Sequence, residues 1–317
     1  MMPKPIRLDG LLAKVETTYG EDAAPSPATD AVRVSERVWS SITLEYAFPG
    51  RRDDAASGSL IPLGPVPRKG RIVTVNIAWE ARGAGAAYSA SVKPEASALL
   101  RACGLEETLD ATAGSEAYTY APADEGHESC TIYAYAGGNL YKIVGCRGTV
   151  TWPVEVGAVA IIRFQMQGLL VEDPVAASLP AITYQAQLPP VAAGMVLTVG
   201  SWTPAKVFNA EFAEGAEIQR IDDATADDAV REFAITQILP SYRLQAYAAD
   251  LGTYNPYAQS QAAAAVAIQQ TLGTQQYNKV ALDTSEAYVE AIAHTEQNQF
   301  TAWDLTYQVR DFTIAFR

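Results

Sequence analysis

The chain has few of the residues that metal sites, disulfide frameworks and membrane spans require. Its 317 residues include three cysteines and two histidines, which is sparse for a disulfide-stabilised secreted domain or for a zinc site with three or four ligands. No run of about 18 apolar residues occurs, so we expect no transmembrane helix. The first twenty residues lack a long apolar stretch with a small-residue cleavage site, so we expect no secretory signal.

The motifs of the common catalytic centres are also missing. There is no G-x-S-x-G, no G-x-x-x-x-G-K-[ST] and no dinucleotide-binding glycine pattern. His127 and Cys130 are spaced as H-x-x-C, but the other histidine, His294, is far along the chain, so both are interpreted as ordinary loop residues. Neighbouring carboxylates are frequent, as in any acidic chain. We therefore expect no enzyme, no cofactor and no metal.

Basic residues are in the minority. The net charge is −13 and the pI is about 4.6, and residues 175–317 hold 7 of the 23 basic side chains but 15 of the 36 acidic ones. Proteins that grip nucleic acid neutralise phosphates with lysine and arginine. The charge therefore has the wrong sign for gripping DNA and the right sign for a conduit that repels it.

Alternation of apolar and polar residues predicts a mainly β chain. In the predicted strand at residues 33–48, the expected buried face consists of Trp39, Ile42, Leu44 and Tyr46. A second strand is predicted at residues 71–80, with a long loop at 49–70 that is rich in glycine, proline and charge. Further strands are predicted at 118–120, 129–136, 140–144, 148–156, 159–168, 195–202, 207–212, 217–221, 232–239, 243–248, 278–282, 287–294 and 299–316.

Each half of the chain has one predicted helix, at residues 94–103 and 255–272, with a proline near the start and a glycine after the end. Both halves thus have strands, one helix and more strands, which indicates an internal duplication. The proline-dotted stretch at 168–190 is the best boundary, giving domains 1–172 and 173–317. The three cysteines are expected to be reduced and buried, although Cys130 and Cys146 lie in neighbouring predicted strands that leave a disulfide open.

Two clusters of opposite charge are prominent. The basic cluster lies at the base of the long loop, and the acidic cluster lies in a turn-rich link. Both are typical of solvated loops. They are also suited to a contact between copies of the chain, because complementary charge sets register and orientation. Their members are Arg51, Arg52, Arg68, Lys69 and Arg71 in the basic cluster, and Asp222, Asp223, Asp227 and Asp228 in the acidic cluster.

Two stretches resemble a known family. Residues 11–34, LLAKVETTYGEDAAPSPATDAVRV, and residues 99–170 are similar to the major tail tube proteins of long, flexible-tailed bacteriophages. The resemblance implies tandem β-sandwich domains, each with one flanking helix, whose strands form a ring-shaped β-barrel around a channel. Rings stack into a tube through which double-stranded DNA passes without specific binding. It also implies a virion location after assembly in the host cytoplasm, with tape measure, terminator and tip proteins as partners.

The chain is about two such sandwiches long, which favours three chains in a pseudo-sixfold ring. Six chains per ring with a decorating second domain is the other arrangement. The resemblance assigns the two charge clusters to contacts between rings, and acids on strands to the channel wall. The candidate channel-facing acids are Glu45, Glu80, Glu155, Glu211, Glu217 and Glu232.

Two other classes of protein stay open. A receptor-binding or baseplate protein built from β-sandwiches would have an exposed aromatic platform, and a polysaccharide-cleaving enzyme would have paired carboxylates in a cleft. The tyrosines available for such a platform are Tyr133, Tyr135, Tyr141, Tyr254 and Tyr257.

Overall fold

The computed structural model describes residues 9–48, 69–203 and 206–317, and within these ranges the chain is mainly β, consistent with a β-sandwich. The helices are short: α1 (Val38–Ser41), α2 (Ser97–Ala102) and α3 (Pro256–Ala262). The strands of the first half are β1 (Gly10–Val15), β2 (Ala31–Val32), β3 (Ile42–Phe48), β4 (Lys69–Glu80), β5 (Leu105–Asp110), β6 (Ala117–Pro122), β7 (Cys130–Ala136), β8 (Asn139–Glu155) and β9 (Ile161–Leu170). Those of the second half are β10 (Val175–Ala176), β11 (Val196–Val199), β12 (Val207–Ala213), β13 (Ala216–Asp222), β14 (Val230–Ile238), β15 (Ser241–Tyr247), β16 (Val266–Leu272), β17 (Val280–Gln297), β18 (Phe300–Val309) and β19 (Thr313–Phe316).

Eight strands form a central antiparallel sheet in the order β3–β4–β9–β8–β12–β15–β18–β17. Alternate residues of these strands are apolar and point to one face, which is buried. This inner face includes Trp79 of β4, Phe164 of β9, Trp152 of β8 and Phe212 of β12. The alternation predicted for residues 71–80 is therefore confirmed.

A second layer covers the inner face. It consists of β5, β6, β19, the first half of β17, β16 and β11, paired in that order. Phe316 of β19 lies with its ring centroid 5.7 Å from that of Trp79 and 5.9 Å from that of Tyr120. The buried apolar residues of both halves form one continuous cluster, so the core lies between the two layers.

Three ladders join the halves of the chain among the described residues, and the shortest pairs Val175 and Ala176 of β10 with Leu140 and Asn139 of β8. Residues Thr151–Glu155 of β8 pair with Asn209–Ala213 of β12, and β19 pairs with β6. Pro153 lies where β8 pairs with β12 but no longer with β9, which agrees with the edge position expected for a proline inside a strand. The division into domains 1–172 and 173–317 stays a prediction, and backbone hydrogen bonds cross it in both layers.

The same strand order occurs twice. The series β3–β4–β9–β8 in the first half corresponds to β12–β15–β18–β17 in the second. The last strands, β8 and β17, have 17 and 18 residues, and each begins in a hairpin, with β7 or β16, that pairs in turn with β1 or β11. This repetition supports the internal duplication that the sequence indicates.

The second predicted helix is only partly correct. Asn255 caps α3 as expected, since its side chain accepts a hydrogen bond from the Ala258 N–H at 3.0 Å, but the helix ends at Ala262 and Ala263 adopts a left-handed φ of 46°. The extension to residue 272 was wrong. Val266, Ile268 and Leu272 are buried on one side of β16, so the period of two prevailed over the helix propensity of the alanine run.

Several strand boundaries also differ from the prediction. The two strands predicted at 140–144 and 148–156 are one bent strand, β8, with a register shift between Val144 and Arg147. β5 was not predicted, because LEETLD has only two apolar residues. Cys130 lies opposite Cys146, and all three cysteines are buried and unbridged, as the first of the two interpretations expected.

We expect the contact between the layers to dominate stability. Phe316→Ala removes a fully buried ring between Trp79 and Tyr120, and the free energy of unfolding should fall by about 3–5 kcal/mol, measured by denaturant titration. Phe300→Ala, at a ring that is 66 % exposed, is the matched control and should change it by no more than about 0.5 kcal/mol. Equal effects would contradict this description of the core.

Candidate functional site

The outer face of the central sheet carries four of the six predicted channel-facing acids. Residues directly opposite each other in a sheet point to the same face, as do residues two apart in a strand. Glu45 lies opposite Ile72, which shares its face of β4 with Glu80. Glu155 lies opposite Asn209, two residues from Glu211. Tracing the register through β9 and β8 places all four acids on the face opposite the core.

Basic residues on this face are paired with acids. Arg243 donates to both carboxylate oxygens of Asp304, at 2.9 and 2.5 Å, and these hydrogen bonds lower the pKa of Asp304 below its usual range. Arg163 lies 3.3 Å from Glu36. These pairs neutralise the arginines locally. Glu80 is itself paired with the buried Arg82, so the acidic balance of the face comes from Glu45, Glu155 and Glu211.

The other two predicted acids lie elsewhere. Glu217 and Glu232 are on the separate two-stranded sheet formed by β13 and β14. A guanidinium nitrogen of Arg147 on β8 lies 3.7 Å from a carboxylate oxygen of Glu232. The structure therefore separates these two from the sheet face that holds the other four.

The end of the β3–β4 hairpin meets the tip of the β13–β14 hairpin within one chain. The Lys69 ammonium donates to the Asp227 carbonyl at 3.4 Å, and the Arg220 guanidinium lies 5.3 Å from the Phe48 ring centroid. Gly70 has a φ of +69°, and a Cβ there would lie 3.2 Å from the Asp228 carbonyl oxygen. Lys69 of the predicted basic cluster therefore neighbours Asp227 and Asp228 of the acidic one in the folded chain.

Three other cluster members that the structure describes also have partners inside the chain. Arg71 donates to Asp173 and to the Val171 carbonyl, each at 3.1 Å. Asp222 accepts from Arg220 at 2.6 Å and Asp223 accepts from Arg231 at 3.2 Å. Arg51, Arg52 and Arg68, with most of the predicted loop, lie outside the described residues; Lys69 and Gly70 begin β4.

Arg147 and Tyr19 anchor the β13–β14 hairpin to the central sheet. Arg147 donates to the carbonyls of Phe233 and His127 at 2.5 and 2.7 Å. The Tyr19 hydroxyl accepts from the Phe233 N–H at 2.8 Å and donates to the Gly145 carbonyl at 3.1 Å. The position of the hairpin is thus set by residues of the first half.

Glu214 is a buried acid that sequence reasoning missed. It is fully buried at the point along β8 where the neighbouring strand on one edge changes from β7 to β12, which we call the branch point. Its Oε2 accepts from the Val150 N–H at 2.9 Å. Its Oε1 has no hydrogen-bond partner among the described residues. Burial raises the pKa of Glu214 from 4.5 to about 8. The segment AEFAEGAEI contains three glutamates, and nothing in its pattern marks the middle one.

Two edges of the central sheet are open within the described residues. The expectation that Trp39, Ile42, Leu44 and Tyr46 form one buried strand face was wrong. Trp39 lies in α1, and only Ile42 packs partly against the core. Among the described residues β3 pairs with β4 alone, which leaves Leu44 44 % exposed. At the other end, β16 pairs with β17 only as far as Ala287, and much of the remaining β17 is exposed.

The other candidate sites do not assemble. His127 donates its Nε2–H to the Ala123 carbonyl, 2.9 Å away, while Cys130 is buried in the core. No group of three His, Cys, Asp or Glu residues suited to a metal occurs in the described part of the chain. Tyr254 is buried with its ring 4.6 Å from that of Trp202, so it does not belong to an exposed aromatic platform.

No protein-family model matches this chain, and no curated protein shows significant similarity to it. Among the described residues, no helix has the length and apolar character needed to cross a membrane. Function is therefore inferred from the geometry of the sheet, its edges and its charges.

The raised pKa of Glu214 gives a testable pH dependence. The unfolded chain would lose this proton near pH 4.5 while the folded chain keeps it to about pH 8, so the free energy of unfolding should fall as pH rises between these values. Glu214→Gln should reduce this slope, measured by thermal or denaturant unfolding across pH 4–9. Glu217→Gln, at an exposed acid, is the control. An unchanged slope in Glu214→Gln would contradict the assignment.

Proposed function

We propose that this protein is the major tail tube subunit of a long-tailed bacteriophage. It forms rings that stack into a tube, and the acidic face of the central sheet lines a channel through which DNA is delivered into the host. Acidic side chains repel the phosphates, so that DNA can slide without being held. In this role the protein is a structural component of the virion, assembled in the host cytoplasm.

The single observation that carries the proposal is the central sheet. It joins two equivalent four-strand series, has four acids on the face away from the core and, in the part of the chain that the structure describes, ends in two open edges. Open edges are a liability for a soluble β-protein unless something pairs with them. Closing several copies into one barrel removes the edges, and a head-to-tail interface closes into a ring when the rotation between copies permits it.

The duplication favours three chains per ring. Each chain supplies two four-strand series, so three copies would contribute six series in a pseudo-sixfold barrel. The alternative, six chains with the second half as an outer decoration, leaves unexplained why β12, β15, β18 and β17 continue the same sheet with the same strand order. A decoration would not need to share that sheet.

The start of β4 and the tip of the β13–β14 hairpin form the proposed contact between rings. Lys69 and the turn around Asp227 and Asp228 bring opposite charges to one end of the β3–β4 hairpin. Arg51, Arg52 and Arg68 belong to the same loop in the sequence. We assign these groups to the register between stacked rings, with tape measure, terminator and tip proteins as the other tail partners.

Electron microscopy of the concentrated protein tests the proposal. We expect hollow filaments of constant width in negative stain, and rotational averages of end-on views with three repeating units and a sixfold inner wall. Six identical units would replace the trimer by the hexamer. Only small closed particles, even after seeding with tail tips, would reject the tube function and favour a receptor-binding or baseplate role.

A further inference from the structure

The ladder between β8 and β12 shows how one four-strand series continues into the next. Five residues of β8 pair with five of β12 in antiparallel register. On the inner side, Trp152 and Val154 lie opposite Phe212 and Ala210, and all four are buried. This internal junction therefore joins two equivalent units by backbone hydrogen bonds and an apolar contact.

The equivalents of these two strands form the open edges of the sheet. β17 is the counterpart of β8, and beyond Ala287 its only ladder in the described residues is with β18. β3 is the counterpart of β12, and its ladder is with β4. The chain thus ends its sheet on one side with a strand like β8 and begins it on the other with a strand like β12.

We propose that the end of β17 pairs with β3 of a second copy, repeating the internal junction between chains. This inference rests on the proposed function, because it specifies how successive chains join in a ring. The occupant of each open edge is the other edge of an identical chain. The same join at every chain gives a head-to-tail contact, the type that can close into a ring.

The register follows from two equivalent rows of outer-face residues. In the first four-strand series, four residues on successive strands lie opposite one another and form a row across the sheet. An equivalent row crosses the second series. The first row is Thr43, Thr74, Gln167 and Arg147. The second row is Glu211, Arg243, Thr306 and Ala291.

Both last strands carry a register shift immediately before the row, ahead of Arg147 in β8 and ahead of Ala291 in β17, which supports the alignment. In the internal junction, Glu211 lies opposite Pro153, six residues after Arg147. The equivalent residue six after Ala291 is Gln297. Gln297 therefore lies opposite Thr43 of the next copy, and Thr295 opposite Glu45 of the next copy.

The inner side of the proposed junction is less apolar than that of the internal one. Leu44 and Tyr46 of β3 are exposed in the single chain, but they would meet Glu296 and His294 of β17, which are also exposed. Inward-pointing polar and charged residues are a means by which edge strands resist uncontrolled pairing. The open junction is thus suited to forming during assembly rather than by random collision.

Disulfide trapping tests the register. In the double variant Thr295→Cys with Glu45→Cys, the two thiols would face each other across the junction, within the range of a disulfide. Assembled filaments treated with a mild oxidant should give covalent dimers and larger multimers on a non-reducing gel. The three native cysteines are buried. Thr295→Cys with Leu44→Cys is the matched control, since Leu44 points to the opposite face, and should cross-link at least tenfold less.

The outcomes separate this inference from the proposed function. Filaments that form without the Thr295–Glu45 cross-link, or that cross-link equally in the control pair, would overturn the junction and leave the tube function standing. Absence of filaments from the unmodified protein would overturn both.

A second variant covers the case in which the cysteine pairs fail to assemble. Leu44→Asp should abolish filaments while the circular dichroism spectrum and melting temperature of the subunit stay close to those of the unmodified protein, because Leu44 is already exposed. Leu188→Asp, at a leucine that is 77 % exposed outside the sheet, should leave filaments intact. Normal filaments from Leu44→Asp would overturn the proposed junction.

Discussion

The structure depends on the backbone ladder between β8 and β12. Without it, the eight-stranded sheet would be two separate four-stranded ones. One edge of β8 must serve two neighbours, β7 at its start and β12 at its end. The residues between these two ladders need other partners for their polar groups.

The branch point supplies those partners from side chains. The Glu214 carboxyl accepts from the Val150 N–H, Thr149 accepts from the Ala216 N–H at 3.1 Å, and Arg147 binds the carbonyls of His127 and Phe233. A buried carboxyl is costly when ionised, so it stays protonated, as its raised pKa indicates. The cost of burying Glu214 is thus the consequence of branching one strand edge into two ladders.

Local pattern was sufficient for the parts of the fold that depend on local chemistry. Strict alternation in β4 and the Asn255–Pro256 cap of α3 were predicted correctly because neighbours in sequence determine them. The helix extension to residue 272 failed because helix propensity is a weak prior that burial in a sheet overrides. Leu44 was expected to be buried because alternation identifies a face but not the partner that covers it.

Features that depend on pairing between distant parts of the chain could not be predicted from local sequence pattern. The four outer acids come together through ladders between residues as far apart as Glu45 and Glu211, and register at that distance depends on tertiary pairing. Glu214 could not be distinguished from its neighbouring glutamates for the same reason. In the proposed ring, joining the two series in one chain would turn one of every two equivalent junctions into an intramolecular contact, with a high effective concentration. The intramolecular junction can be apolar on its inner side, where Trp152 lies opposite Phe212, while the junction between chains keeps exposed polar residues. One chain therefore presents half the open edges that two separate domains would.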